Sequence, residues 1–385
     1  VTDEEFMRQA LSLAEATIGL ASPNPQVGCV LVREGKVLGA GAHLYDQLDH
    51  AEIVALKQAR AAGHDLRGAT AYVTLEPCSH HGRTGPCADA LIEAGVARCV
   101  VATSDPNPEV SGRGIARLRA AGVPVEMGLL QAEARALNNS FAFSITQGRP
   151  FVTLKAALSV DGMLAPSPDQ RVGTSPFFLT GPEARREVQQ LRHGADAILS
   201  GIGTVLADDP LLTDRTGLPR RRPLMRVILD STLRLPVEAK LLHSVADDLW
   251  IFCEAAASPE REAALIQAGT RVTRVASREA GLDLAAVLHH LHEARMLSVL
   301  LEAGSALNGA FLQAGLVDRV ILYYAEAELG AAAIPFAAGV TTSFALEQRL
   351  QQVRKRLVGE DVCVTGMLRD PWPSPNPRAI PDRLS

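Results

Sequence analysis

Three residues suited to binding one metal ion stand at three separate element ends, and any fold of this chain must bring them together. His50 lies in Asp49-His50-Ala51-Glu52, where a helical pattern begins at Ala51 and runs to Ala62. Cys78 closes Thr74-Leu75-Glu76-Pro77-Cys78, directly after the apolar strand pattern Ala71 to Leu75. Cys87 follows Pro86 at the start of a helical pattern that extends to Ala94. This reading puts the histidine and both cysteines at helix N-termini, whose positive pole favours thiolate over thiol. Two thiolates and one imidazole leave a fourth position open, which is the pattern of a catalytic zinc site, and a Cys₂His set favours zinc over other metals. Glu52, two residues past the histidine, is the expected acid/base. A closed structural site would need a fourth ligand, which His80 or His81 could supply, but it would have no use for Glu52.

The rest of the chain organises around two α/β blocks. Its 385 residues allow two or three domains. Thr2 can cap a helix, with Glu5 three residues on, running to about Ile18. Ser22-Pro23-Asn24-Pro25 breaks it. Val27 to Val32 and Lys36 to Ala42 read as a hairpin around Glu34-Gly35, and Cys99 to Ala102 and Val123 to Met127 as further strands. Residues 1–148 are therefore expected to form a three-layer α/β domain. Strand patterns at Phe151 to Ala157, Ala197 to Gly201, Arg226 to Asp230, Leu249 to Cys253, Ser298 to Glu302 and Val320 to Ala325 define a second block. Helical patterns at Pro182 to His193, Pro259 to Ala268 and Leu284 to Arg295 lie between them. Residues 149–369 thus read as a second α/β domain with a mainly parallel sheet, and 370–385, with five prolines at 371, 373, 375, 377 and 381, as a Pro-rich extended or disordered tail.

Composition narrows the function classes. A formal net charge of −5 gives no electrostatic case for nucleic acid. No apolar run of about 18 residues is present, so no membrane span is expected. Val1-Thr2-Asp3-Glu4-Glu5 has no signal-peptide character. Cys29, Cys99, Cys253 and Cys363 sit in apolar strand patterns and are read as small buried hydrophobes, which fits a reducing cytoplasm.

His-Ala-Glu followed by Pro-Cys and a second Cys matches the order of zinc-deaminase ligands, His-x-Glu then Pro-Cys-x-x-Cys. Here eight residues, 79–86, separate the cysteines instead of two. That spacing, with Ser79-His80-His81-Gly82-Arg83-Thr84 inside it, resembles the bifunctional deaminase–reductase family of riboflavin biosynthesis. Ser22-Pro23-Asn24-Pro25, Gly41-Ala42-His43 and Asp105-Pro106-Asn107-Pro108 extend the resemblance. It implies a cytidine-deaminase-like first domain with one Zn²⁺ per chain, held by His50, Cys78 and Cys87, and with Glu52 moving protons. The implied substrate is a phosphorylated diaminopyrimidine contacted by Asn24, His43, Asp105 and Asn107, with Arg83 on its phosphate. A deaminase of free or tRNA-borne nucleosides is opposed by the acidic charge and the long spacing.

Unaided, the second domain says less. Gly201-Ile202-Gly203-Thr204 and the turn Glu302-Ala303-Gly304-Ser305-Ala306-Leu307-Asn308-Gly309 could hold a phosphate or be ordinary tight turns. The resemblance continues through Leu154 to Gly162, Thr204 to Pro210, Ile228 to Ser231 and Glu302 to Ala310. It implies a dihydrofolate-reductase-like domain using NADPH. By that resemblance Phe178, Thr204, Asp208, Ser231, Gly304, Ser305, Ala306, Leu307, Asn308, Gly309 and Ala310 contact the cofactor. Arg192, Leu212, Arg215 and Glu302 face the substrate, and Lys155 protonates or polarises the opened sugar. Phe178 stands where the family has Trp, Pro176 where Ser is common, Leu158 where a small residue is expected, and Ala325-Glu326-Ala327 replaces Ala-Pro-Lys. A deaminase carrying an inactive or altered reductase-like domain therefore stays open as an alternative. A homo-oligomer is expected.

Overall fold

The computed structural model describes residues 2–79, 85–108, 110–167, 169, 178–278 and 281–372. The chain divides into two compact units: residues up to Gly148 together with Pro371 and Trp372, and Arg149–Asp370.

In the first unit the Thr2 capping box forms as the sequence predicts: Thr2 Oγ1 accepts from the Glu5 N–H at 3.3 Å, and the Glu5 carboxylate accepts from the Thr2 N–H at 2.6 Å. Helix α1 (Asp3–Glu15) starts there and stops a turn short of Ile18. The hairpin is β1 (Gly28–Arg33) and β2 (Lys36–Ala42); β3 (Thr70–Val73), β4 (Arg98–Val101) and β5 (Val125–Met127) complete a five-stranded sheet in the order β2-β1-β3-β4-β5. β3, β4 and β5 are mutually parallel, and β1 is antiparallel to both its neighbours. Phe6, Met7, Ala10 and Leu11 of α1 pack with Val30, Val32 and Tyr72 on one face. Helices α2 (Ala51–Ala61), α3 (Cys87–Glu93) and α4 (Arg113–Ala120) cover the other, over Leu31, Val73 and Val101. Three layers result because alternate strand residues are apolar on both faces.

Helix α2 lies against backbone. A Cβ on Gly41 would stand 2.5 Å from the Ala51 carbonyl oxygen and 2.6 Å from the Ala55 nitrogen, so only glycine lets the start of α2 sit so close to β2. Helices α5 (Gln131–Leu137) and α6 (Asn139–Gln147) follow β5. Trp372, which the sequence reading puts in the Pro-rich tail, is buried beside Ala142; its Nε1 donates to Asn139 Oδ1 at 2.9 Å, and the Arg135 guanidinium sits 5.1 Å from its ring centre.

The second unit is built on the expected mainly parallel sheet, of nine strands: Arg271–Val275, Leu249–Glu254, Met225–Leu229, Ala197–Gly201, Ser298–Leu301, Phe151–Ser159, Arg319–Ala325, Asp361–Met367 and Gln351–Val358, in that spatial order. The first seven are parallel, and the last two add antiparallel at one edge. Leu284–Glu293 and Ser305–Gln313 contribute Val287, Leu288, Leu291 and Phe311 to one apolar layer; Leu241, Leu242 and Leu265 belong to the other. Among the described residues no helix is long and apolar enough to cross a membrane.

Candidate active sites

The loop after β3 and the starts of α2 and α3 converge. His50 is the N-cap residue of α2 and makes no side-chain cap hydrogen bond, so its ring turns away from the helix end. Its Nδ1 lies 3.5 Å from Cys78 Sγ and 3.3 Å from Cys87 Sγ, and the three ligand atoms fall within 4.8 Å of one another. The edge of a tetrahedron with zinc bonds of about 2.0–2.3 Å is ~3.3–3.8 Å, so this donor set fits zinc. His50 and Cys87 sit at helix N-termini as predicted. Cys78 does not: it lies in the loop and reaches α3 through its neighbours, its Sγ accepting from the Cys87 N–H at 3.3 Å and its carbonyl from the Ala88 N–H at 3.1 Å. Hydrogen bonds from Cys87 and His50, working against burial, hold the Cys78 thiol down to about 4. Cys87 is pushed far up by the shared hydrogen bond to Cys78 and by burial. Both sulfurs ligate as thiolates, so metal binding releases protons.

Glu52, one turn-position into α2, is buried. Burial pushes its carboxyl up to about 7, with the Cys78 charge adding and the His50 charge opposing. Nearby, Asn24 Nδ2 and His43 Nε2 are 2.9 Å apart, and His43 Nδ1 is 2.8 Å from the Asp49 carbonyl oxygen. The His43 and His50 rings meet edge-on with centroids 5.4 Å apart. Burial lowers the His43 pKa, which keeps the ring neutral. Asp105 Oδ1 accepts from the Asn107 N–H at 2.8 Å. Arg83, His80 and His81 lie outside the described residues.

In the second unit a cavity of about 570 Å³ brings together Lys155, Phe178, Arg192, Thr204, Asp208, Leu212, Arg215, Glu302 and Gly304, nine of the residues singled out in the sequence. Glu302 is the hub. Arg192 Nε and Nη2 donate to its two oxygens at 2.8 and 3.1 Å, and Lys155 Nζ stands 3.6 Å away. Burial alone would raise the Glu302 pKa, but Lys155 and Arg192 more than offset it and hold the carboxyl below its ordinary value. Arg192 Nη1 also donates to the Thr213 carbonyl at 3.0 Å.

Ser231 and the run Ser305, Ala306, Leu307, Asn308, Gly309 and Ala310 are not among the residues lining this cavity. Helical periodicity turns Asn308 and Gly309 inward: Asn308 Nδ2 donates to the Phe336 carbonyl at 3.2 Å, and a Gly309 Cβ would stand 3.1 Å from Val340. Leu158 is fully buried in the apolar core and is not among the residues lining the cavity; strand alternation puts Lys155 and Ala157 on the opposite face. Phe178 is exposed and stacks 5.0 Å from the Arg185 guanidinium; Pro176 lies outside the described residues. Sequence reasoning missed Arg185 and Gln189, which line the cavity. They precede Arg192 by seven and three residues on one face of helix Pro182–Gly194, so the spacing could have found them. It also missed Asp214, whose carboxylate binds His193 Nδ1 at 2.9 Å, Thr216 Oγ1 at 2.7 Å and Arg220 Nη1 at 3.3 Å, fixing the loop that carries Leu212 and Arg215.

A His-Cys-Cys cluster beside a buried glutamate on a three-layer fold, joined to a parallel-sheet unit with a Lys-Glu-Arg cavity, defines a zinc-type deaminase coupled to a reductase-type domain. Residues 1–103 match the cytidine and deoxycytidylate deaminase zinc-binding region, and residues 150–364 match the RibD C-terminal domain. The riboflavin biosynthesis protein RibD of Escherichia coli (strain K12) is 39% identical over 380 residues, covering 94% of this chain and 98% of that protein. That of Aquifex aeolicus is 38% identical over 364 residues, covering 94% and 97%. RibD of Acinetobacter baumannii superposes with a TM-score of 0.80 at 35% identity, covering 95% of this chain and 98% of that one. A Thermotoga maritima deaminase/reductase gives a TM-score of 0.80 at 34% identity, covering 94% and 98%. The chain belongs to the RibD family of riboflavin biosynthesis proteins, with a zinc-binding deaminase domain and a reductase domain.

Proposed function

We propose that this chain carries out two consecutive steps of riboflavin biosynthesis. It removes the 2-amino group of 2,5-diamino-6-(5-phosphoribosylamino)pyrimidin-4(3H)-one, then reduces the ribosyl side chain with NADPH to give 5-amino-6-(5-phosphoribitylamino)uracil. The observation that carries the reading is the convergence of His50, Cys78 and Cys87 beside buried Glu52. Zinc held by those three residues supplies a Lewis acid and an activated water. Glu52 would take one proton of the attacking water and pass it to the ring nitrogen, then carry the proton of the newly formed hydroxyl to the amino group, which leaves as ammonia; its raised pKa suits both directions of transfer. Asn24, His43, Asp105 and Asn107 orient the pyrimidine, and Arg83 meets its phosphate.

In the second cavity NADPH would supply hydride, with Phe178, Thr204, Asp208 and Gly304, which line it, as contacts; Ser231 and the Ser305 to Ala310 run do not line it and are not assigned to the cofactor by this geometry. Lys155, fixed by Glu302, holds a proton at the oxygen of the opened sugar, while Arg192 and Arg215 take the phosphate end of the substrate. An active reductase is supported by the burial of Leu158 in the core and by the aromatic face that Phe178 still offers.

None of the six cysteines is in a disulfide, which accords with a cytoplasmic location. The edge strand Gln351–Val358, with Val353 and Leu357 exposed, supports self-association, which sedimentation analysis would test. The decisive experiment supplies the diaminopyrimidine phosphate and follows ammonia release and NADPH oxidation together. Equal amounts of both are expected, ammonia first. Ammonia without NADPH oxidation, even with saturating deaminated intermediate, would leave only the deaminase half standing.

A further inference from the structure

Glu76 has no part in the chemistry above, yet its placement is unusual. Its side chain is buried, two residues before the ligand Cys78. It accepts hydrogen bonds from four backbone N–H groups of another segment: Oε2 from Asp105 at 3.2 Å and Gly112 at 2.9 Å, Oε1 from Gly114 at 3.0 Å and Ile115 at 3.3 Å. Its own N–H donates to the Thr103 carbonyl at 2.9 Å. The two segments meet at backbone distance: a Cβ on Gly114 would stand 1.8 Å from the Pro77 carbonyl oxygen. Gly112, the N-cap position of α4, has φ +80° and no side chain to cap the helix, so the carboxylate arriving from the metal-ligand loop caps it instead.

One buried anion therefore fastens both ends of the 105–112 segment to the turn that presents Cys78. Asp105 Oδ1 in turn accepts from the Asn107 N–H at 2.8 Å, tying Asn107 to the residue that Glu76 holds. We infer that Glu76 is a positioning residue of the deaminase site, setting the distance between the metal ligands and the Asp105–Asn107 loop that orients the pyrimidine. The inference rests on the reading that Asp105 contacts the substrate. A carboxylate is required because all four partners are donors; an amide at the same place turns its NH₂ toward two of them and leaves buried N–H groups unmet.

The test uses the full chain, with zinc content and reduction of the deaminated intermediate as internal controls. Glu76→Gln is expected to raise the deaminase KM about tenfold while kcat stays within about threefold. Zinc content and NADPH oxidation should equal those of the unaltered chain. In the double variant with Asp105→Ala, the KM should match Asp105→Ala alone, because both changes act through one loop. Glu76→Asp, which keeps the charge one methylene short, should give an intermediate KM. An unaltered KM in Glu76→Gln, or full additivity in the double variant, overturns the inference. So does zinc loss in both the Gln and Asp variants, which would make Glu76 a folding residue. An unaltered KM in Asp105→Ala alone removes the assignment of Asp105 first and the inference with it, a failure distinguishable from the others.

Discussion

Glu52 shows how one side chain's surroundings set its task. It is buried at the start of a helix, next to two sulfurs and an imidazole, and those three ligands are not free to shuttle a proton while they hold metal. Glu52→Gln is expected to reduce ammonia release by about 10²–10⁴-fold with zinc content unchanged, measured by metal analysis beside the assay. Reduction of the deaminated intermediate by the same preparation should proceed at the full rate. Glu302 plays a different part, holding Lys155 and Arg192 in place while staying ionised itself. Glu302→Gln should slow NADPH oxidation by about tenfold or more and leave ammonia release untouched. The metal ligands and Glu52 were legible in the sequence because residue type and spacing are tied to one chemistry. Glu76 and Asp214 were not, because their partners are backbone N–H groups, or His193 and Arg220, on segments that only the fold brings near.

At the scale of elements, α1 is fastened to the sheet by a polar clamp at its N-terminus. The Tyr72 hydroxyl donates to Asp3 Oδ1 at 2.5 Å, and Arg98 binds the same carboxylate at 2.6 Å. Burial, aided by the Asp3 hydrogen bond, pushes the Tyr72 phenol up to about 12. A raised folded-state pKa stabilises the fold fully below the free phenol value of about 10 and is lost as pH rises toward about 12. Tyr72→Phe should lack that portion of the alkaline loss, so the difference in unfolding midpoint between it and the parent should shrink between about pH 10 and 12. Trp372 fastens another edge of the same unit. Trp372→Ala should destabilise that unit by roughly 3 kcal/mol, read by denaturant unfolding, since a large buried ring and its hydrogen bonds vanish together. The helices and strands around these clamps were largely legible from period and capping. The burial of Trp372 was not, because its Pro-rich surroundings carry no period.

For the whole molecule, two chemistries reside in separate units of one chain. Among the described residues the only His/Cys cluster able to hold a metal is His50, Cys78 and Cys87. Chelation should therefore abolish ammonia release and leave NADPH-dependent reduction of the deaminated intermediate intact, with zinc restoring the first activity. The metal-ligand set, the candidate acid/base, the two α/β blocks and the family resemblance could be read from the chain alone, because each is written in local spacing and residue type. That Cys78 reaches the site from a loop, that Leu158 lies in the core, that Asn308 and Gly309 turn inward, and that Glu76 anchors a loop some thirty residues on became visible in the folded structure. Those facts depend on which face of an element meets which neighbour, and a chain's local pattern does not carry the direction in which distant backbone N–H groups will point.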